Sequence, residues 1–158
     1  MATRGAIKPL KNINLAKAHY RIGIVLTRWH SDITDKLLKG ALDTLKKHGI
    51  SASSIILKRV SGSFELPLGA QWIKESEKAD AVICLGCIIK GETPHFDFIS
   101  QAVAMGIMDL NLKYNIPFIF GVLTTNTLKQ AKQRSGGKHG NKGAEAALAA
   151  LEMLANKK

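Results

Sequence analysis

Residues 81–97 read AVICLGCIIKGETPHFD. The first nine are apolar without alternation and rich in branched side chains. A strand with one wet face alternates apolar and polar residues, so an unbroken run signals a strand covered on both faces, the habit of parallel sheets. The run then meets Gly91, Thr93 and Pro94. Glycine permits a tight turn, threonine is a helix cap, and proline suits a first helical position. The spacing therefore predicts a buried strand over 81–88, a short turn, and a helix over 94–114 with a stripe of Phe96, Ile99, Val103, Ile107 and Leu110.

The same pattern recurs outward from this stretch. RIGIVLT (21–27), SSIILKRV (53–60) and PFIFGVLT (117–124) are strand-like runs. The first and last are apolar almost throughout, whereas 53–60 is mixed and belongs at a sheet edge. Helical spacing fills the intervals. Residues 32–48 carry Ile33, Leu37, Ala41, Leu42 and Leu45, with Ser31 as N-cap and Gly49 as the stop. Residues 67–77 open on Pro67, a short helix covers 127–134, and a last helix runs from about Asn141 to Asn156. Its inward residues are Ala144, Ala147, Leu148, Leu151 and Leu154. Strand and helix alternate four times, which predicts a three-layer α/β/α sandwich with a four-stranded parallel sheet and right-handed crossovers. Residues 21–158 read as a single domain. Residues 1–20 form a polar arm with no core of its own.

Composition narrows the function. A chain of 158 residues with 46% hydrophobic content buries a real core and is not disordered. No apolar run is long enough to span a bilayer. Residues 1–20 hold Arg4, Lys8, Lys11 and Lys17 but no continuous apolar segment, so a secretory signal is not expected and a cytoplasmic location is. The net charge of +11 invites nucleic acid as a partner. The basic residues are scattered over every segment without interleaved aromatics, so solvated helix faces account for them better. The two cysteines, Cys84 and Cys87, fall three apart in a strand, hence on opposite faces, and no second pair completes a zinc site. They read as buried, reduced thiols.

In an open α/β sheet, ligands lie beyond the carboxyl ends of the strands. Three of the four strands end there in unusual residues: TRWH (27–30), SGSFELP (61–67) and KGETPHFD (90–97). Trp29 offers an indole face for a planar heterocycle, though an aromatic at a strand end is also ordinary partial core. Glycine and serine in 61–63 free the backbone to approach a ligand, and Glu65 offers an acceptor for it while also suiting the N-terminus of the next helix, two readings that hold together. The amides of Glu92 and Thr93 lie where a helix N-terminus favours phosphate. His95 follows in the first turn, where the dipole disfavours imidazolium, a setting suited to a base. Asp97 either complements the dipole or orients His95. RSGGKHGNKG (134–143) lacks the spacing of a phosphate-binding P-loop and reads as a flexible basic loop. Its Arg134 is the best phosphate clamp, because the guanidinium fork binds phosphate bidentately. The topology carries Arg134 back from the active edge, so a ligand shared with His95 requires Arg134 from a neighbouring subunit.

RIGIVLTRWH, VSGSFELP, GCIIKGETPHFDFI, FIFGVLTTNT and GNKGAEAALAALEML, in this order from about residue 15 onward, resemble the 6,7-dimethyl-8-ribityllumazine synthase family. The resemblance implies a flavodoxin-like fold and a transferase of riboflavin biosynthesis. Its reaction condenses 5-amino-6-ribitylaminouracil with 3,4-dihydroxy-2-butanone 4-phosphate through a Schiff base, eliminates phosphate and closes the ring with no cofactor. It implies His95 as the proton-moving residue and Trp29 on the pyrimidine. Ser63, Phe64 and Glu65 would meet the ribityl chain, and Ile88 and Ile89 the ring edge. Arg134 of the adjacent subunit would hold the phosphate with the Glu92 and Thr93 amides, Phe120 of that neighbour would close the pocket, and Lys142 would assist the phosphate. No metal is implied. The family assembles as pentamers, paired pentamers or sixty-subunit icosahedral shells. The compact loop SGGKHGNKG resembles the shell formers, the arm would add a strand to a neighbour's sheet, and association with riboflavin synthase is a further implication. Trp29 stands where phenylalanine is usual, and Ser61 and Ser63 where proline and alanine are frequent. These departures leave one rival, a shell of the same fold that binds flavin or lumazine with little turnover. A basic flavodoxin-like module binding nucleic acid is a second, which leaves the ordered motifs unexplained.

Overall fold

The computed structural model describes residues 13–15 and 19–157. Four parallel strands, β1 (Ile22–Thr27), β2 (Ile55–Val60), β3 (Ala81–Ile89) and β4 (Phe118–Thr125), form one sheet in the order β2-β1-β3-β4. This is the flavodoxin-like order, with β2 and β4 at the edges. The helices between and after them are α1 (Ser31–Lys47), α2 (Leu66–Glu77), α3 (His95–Tyr114), α4 (Leu128–Arg134) and α5 (Lys142–Asn156).

The unbroken apolar runs fill both sides of the sheet, because successive strand side chains point to opposite faces. Ile22, Ile24 and Leu26 of β1 and Ile83, Leu85 and Cys87 of β3 face α1 and α5. Val25 of β1, Val82 and Cys84 of β3 and Val122 of β4 face α2 and α3. The two cysteines thus lie on opposite faces, as strand alternation predicts, and both are buried. Burial pushes each thiol up to about 12, Cys84 through desolvation alone and Cys87 with a smaller push from the Asp32 carboxylate.

Several local expectations shift. Ser31 is the first residue of α1 rather than its cap; His30 takes the cap position with a left-handed backbone, and its carbonyl accepts from Ile33 N (2.8 Å) and Thr34 N (2.9 Å). Thr93 does not cap α3. Pro94 does, without a side-chain bond, and the helix starts at His95. The glycines of 135–141 predict a flexible loop, yet the chain forms a small antiparallel hairpin, β5 (Ser135–Gly137) with β6 (Gly140–Asn141), packed against α1. Asn141 anchors it, donating to Lys36 O (2.9 Å) and capping α5 by accepting from Gly143 N (2.8 Å) and Ala144 N (3.1 Å). There α1 and α5 approach so closely that a Cβ on Gly143 would lie 1.9 Å from the Leu37 carbonyl oxygen.

The arm of residues 1–20, expected to add to a neighbouring subunit, falls mostly outside the described residues. Of it, Ile13 and Leu15 lie half-buried against the α1/α5 side, and Tyr20 is buried there. Helix α3 buries Val103, Ile107 and Leu110 but leaves Phe98, Met105, Met108 and Leu112 exposed. Trp72 and Leu68 of α2 and Phe64 are exposed as well.

Candidate active site

The carboxyl ends of β1, β2 and β3 bring three of the segments singled out above to one edge. Beyond β1 and β2 the ladder continues briefly: Arg28 N donates to Val60 O (2.9 Å) and Trp29 N to Ser61 O (3.2 Å). Beyond β3, Lys90 N donates to Thr125 O (2.8 Å). The main chain is thus held in register just past the sheet, and the side chains that follow are projected from a rigid base.

Trp29 is 68% exposed, an indole face open to solvent rather than core. Arg28 reaches across to the Ser61 hydroxyl (3.3 Å), and Arg28, Trp29, His30 and Ser61 line an open cavity of about 380 Å³. The Ser63–Glu65 segment is a 3-10 turn packed on both β3 and α3. Its side chains divide their tasks. Ser63 is buried over β3, Phe64 is exposed, and the Glu65 carboxylate accepts from Gly62 N (2.9 Å), bracing its own loop. Ile88 and Ile89 are half-buried at the end of β3, and Glu92 and Thr93 are exposed on the turn. His95, the first residue of α3, is also exposed. Asp97 donates its amide to Pro94 O (3.0 Å) and, with no bond from its carboxylate to His95, lies in the first turn as a dipole-complementing acid. The edge therefore presents an exposed indole, a polar loop, a helix N-terminus with no side-chain cap and an accessible imidazole.

Arg134, Lys142 and Phe120 lie elsewhere in the same chain. Arg134 ends α4 and donates to His139 O (3.4 Å); Glu145 of α5 pairs with it at 3.9 Å and with Lys142 at 3.3 Å. These cations belong to the α1/α5 side, opposite the layer that carries His95. Phe120 is paired with Cys84 and half-buried on the α3 side. It lies five residues, roughly 16 Å, short of the carboxyl end of β4.

A model of the 6,7-dimethyl-8-ribityllumazine synthase family matches residues 19–158. The chain belongs to this family. The 6,7-dimethyl-8-ribityllumazine synthase of Cytophaga hutchinsonii is 59% identical over 133 residues, covering 84% of this chain and 84% of that protein. That of Parabacteroides distasonis is 54% identical over 133 residues, covering 84% and 83%.

Four residues shape this edge and its cations without having been given a role from the sequence. Thr34, fully buried, donates to Thr27 O (3.0 Å) and so fastens the end of β1 from which Trp29 projects. Gly86 of β3 makes room for the 61–66 loop: a Cβ there would meet Ser63 Oγ at 2.9 Å. Glu145 gathers Arg134 and Lys142. His30 packs its ring edge-on to Trp29. Only the Glu145 role had a readable trace, an acid three residues after a lysine at a helix start.

Proposed function

We propose that this chain catalyses the condensation of 5-amino-6-ribitylaminouracil with 3,4-dihydroxy-2-butanone 4-phosphate to 6,7-dimethyl-8-ribityllumazine, releasing phosphate and water. The observation that carries the reading is the family's KGETPHFD segment set at the carboxyl edge of the sheet, with His95 exposed at a helix N-terminus that has no side-chain cap and Trp29 on the same edge.

The chemistry asks little of the protein beyond this. The pyrimidine brings its own amine nucleophile, which adds to the ketone and loses water to form the Schiff base. Loss of phosphate unmasks a second carbonyl; the second amine adds to it, and a second water leaves as the ring closes. The protein's tasks are to hold two reactants together, move protons with one imidazole and stabilise the departing phosphate. His95 carries the protons. Trp29 stacks on the pyrimidine, Ser63, Phe64 and Glu65 line the ribityl path, and Ile88 and Ile89 bound the ring. The Glu92 and Thr93 amides receive the phosphate with Arg134 and Lys142.

Those two cations and Phe120 are supplied by an adjacent subunit. Support comes from Arg134 and Lys142 lying in the layer opposite His95, and from Phe120 lying well short of the active edge. The exposed apolar face of α2 and α3, including Trp72, Met105, Met108 and Leu112, is surface that a subunit contact would cover. We place the assembly at the pentamer, or a shell built of pentamers. Riboflavin synthase is its expected associate, and the cytoplasm, which keeps Cys84 and Cys87 reduced, its location. Among the described residues no helix is long and apolar enough to cross a membrane.

The test is to mix the protein with both substrates and follow the fluorescent lumazine against the slow protein-free reaction. Clear acceleration supports the enzyme. Binding of ribityllumazine without acceleration would instead identify a shell of the same fold that keeps the pocket and has lost turnover.

A further inference from the structure

We infer that His30 is a positioning residue for the stacking platform, its imidazole setting the pose of the Trp29 indole on which the pyrimidine lies. The inference rests on the assignment of Trp29 given above. The main chain of Trp29 is fastened on two sides: its N–H donates to Ser61 O (3.2 Å) and its carbonyl accepts from Thr27 Oγ1 (3.4 Å). The indole has no such anchor. It is 68% exposed, and among the described residues its N–H has no hydrogen-bond partner. Two neighbours flank it. One is the backbone at Gly62, where a Cβ would lie 3.6 Å from Trp29 Cδ1. The other is the His30 ring, with centroids 6.1 Å apart and planes at 64°, the edge-on geometry that aromatic quadrupoles favour.

Adjacent residues in a strand or helix do not ordinarily face each other. Here the left-handed backbone of His30 (φ 56, ψ 49) turns its side chain to its neighbour. That backbone is itself held, because the His30 carbonyl closes the first turn of α1 through Ile33 N and Thr34 N. The half-buried His30 ring therefore projects from a held main chain, beside an indole that is the more exposed of the two. A planar ring laid on Trp29 enters the cavity that Arg28, His30 and Ser61 share with it, so the tilt of the indole sets how the ring seats. An indole free to rotate must be ordered on binding, which weakens the ligand by about three- to tenfold.

The test uses Trp29 as the sole emitter in a Trp72→Phe background, since the chain has two tryptophans. His30→Asn keeps a residue that accepts the left-handed backbone but removes the ring; His30→Phe keeps a ring edge. Time-resolved fluorescence anisotropy is read without ligand, and KM and kcat in lumazine formation. For His30→Asn we expect a new fast depolarisation of Trp29 and a KM for the ribitylaminouracil raised about three- to tenfold with kcat unchanged. His30→Phe should bring both back toward the parent. An anisotropy decay in His30→Asn identical to the parent overturns the inference. New indole motion with an unmoved KM would uphold the hold of His30 on Trp29 and remove Trp29 from the pyrimidine. Should His30→Asn not fold, His30→Gly carries the same test, because glycine also accepts that backbone.

Discussion

Gly86→Ala should loosen the loop after β2 while leaving every proposed catalytic group in place. Gly86 faces the loop after β2 from the middle of β3. A Cβ built there meets Ser63 Oγ at 2.9 Å, Leu66 Cδ1 at 3.1 Å and Thr27 Cγ2 at 3.2 Å. Restoring an ordinary contact of 3.4 Å requires the Ser63 hydroxyl to move by 0.5 Å, Leu66 by 0.3 Å and Thr27 by 0.2 Å. Ser63 is buried and Leu66 and Thr27 are fully so, which leaves little empty space to take up the shift. Overpacking of this kind costs about 1–3 kcal/mol. For a chain of this length, a loss of about 2 kcal/mol lowers the melting temperature by about 4–8 °C. The Ser63–Glu65 turn rests on both β3 and α3, so the displacement is passed to the proposed ribityl path and the KM for the pyrimidine should rise several-fold. Differential scanning fluorimetry and lumazine-formation kinetics on the purified variant read both effects. A Gly86→Ala protein with unchanged melting temperature and unchanged KM would refute the reasoning, since the loop would then tolerate the methyl without moving.

Two further outcomes concern the site and one the core. His95→Ala should slow condensation by about a hundredfold. The ring is exposed at the start of α3, so melting temperature and oligomer size should hold; loss of assembly, read by size-exclusion chromatography, would count against the catalytic assignment. Arg134→Ala removes a bidentate cation and should raise the KM for the butanone phosphate about tenfold, more than it lowers kcat; an unchanged value would take Arg134 out of the site. Alkaline solution should destabilise the fold. Burial holds Cys84 and Cys87 protonated up to about 12, above the ordinary thiol value of 9.0, so the unfolded chain releases these protons first. Their contribution is complete below pH 9.0 and is lost as pH rises toward about 12. Urea melts at pH 8 and pH 10 read it, and a Cys84→Ala, Cys87→Ala double variant that loses stability just as steeply would refute it.

Much of this architecture was legible from local pattern. The strand at 81–88 extends one residue further, to Ile89, and the mixed run at 53–60 does form an edge. The strand core of both layers could be read from runs without alternation, because burial on two faces leaves no polar position. Helix ends were less legible: His30, not Ser31, occupies the cap of α1, on a left-handed backbone and without a side-chain bond. The hairpin at 135–141 was hidden by its glycines, whose freedom in isolation is removed by Asn141 bonding to α1 and α5.

Spacing and residue type along short segments suffice for the order of strands and helices, the edge at which the candidate site residues gather, and the family. Only the tertiary structure decided that Arg134 and Lys142 share Glu145 in the layer opposite His95, that Ser63 is pressed onto β3 at Gly86, and that His30 meets Trp29 edge-on. The reason is physical: these relations depend on helix–sheet packing across long sequence separations and on one backbone dihedral, and neither is written in the identity of a residue.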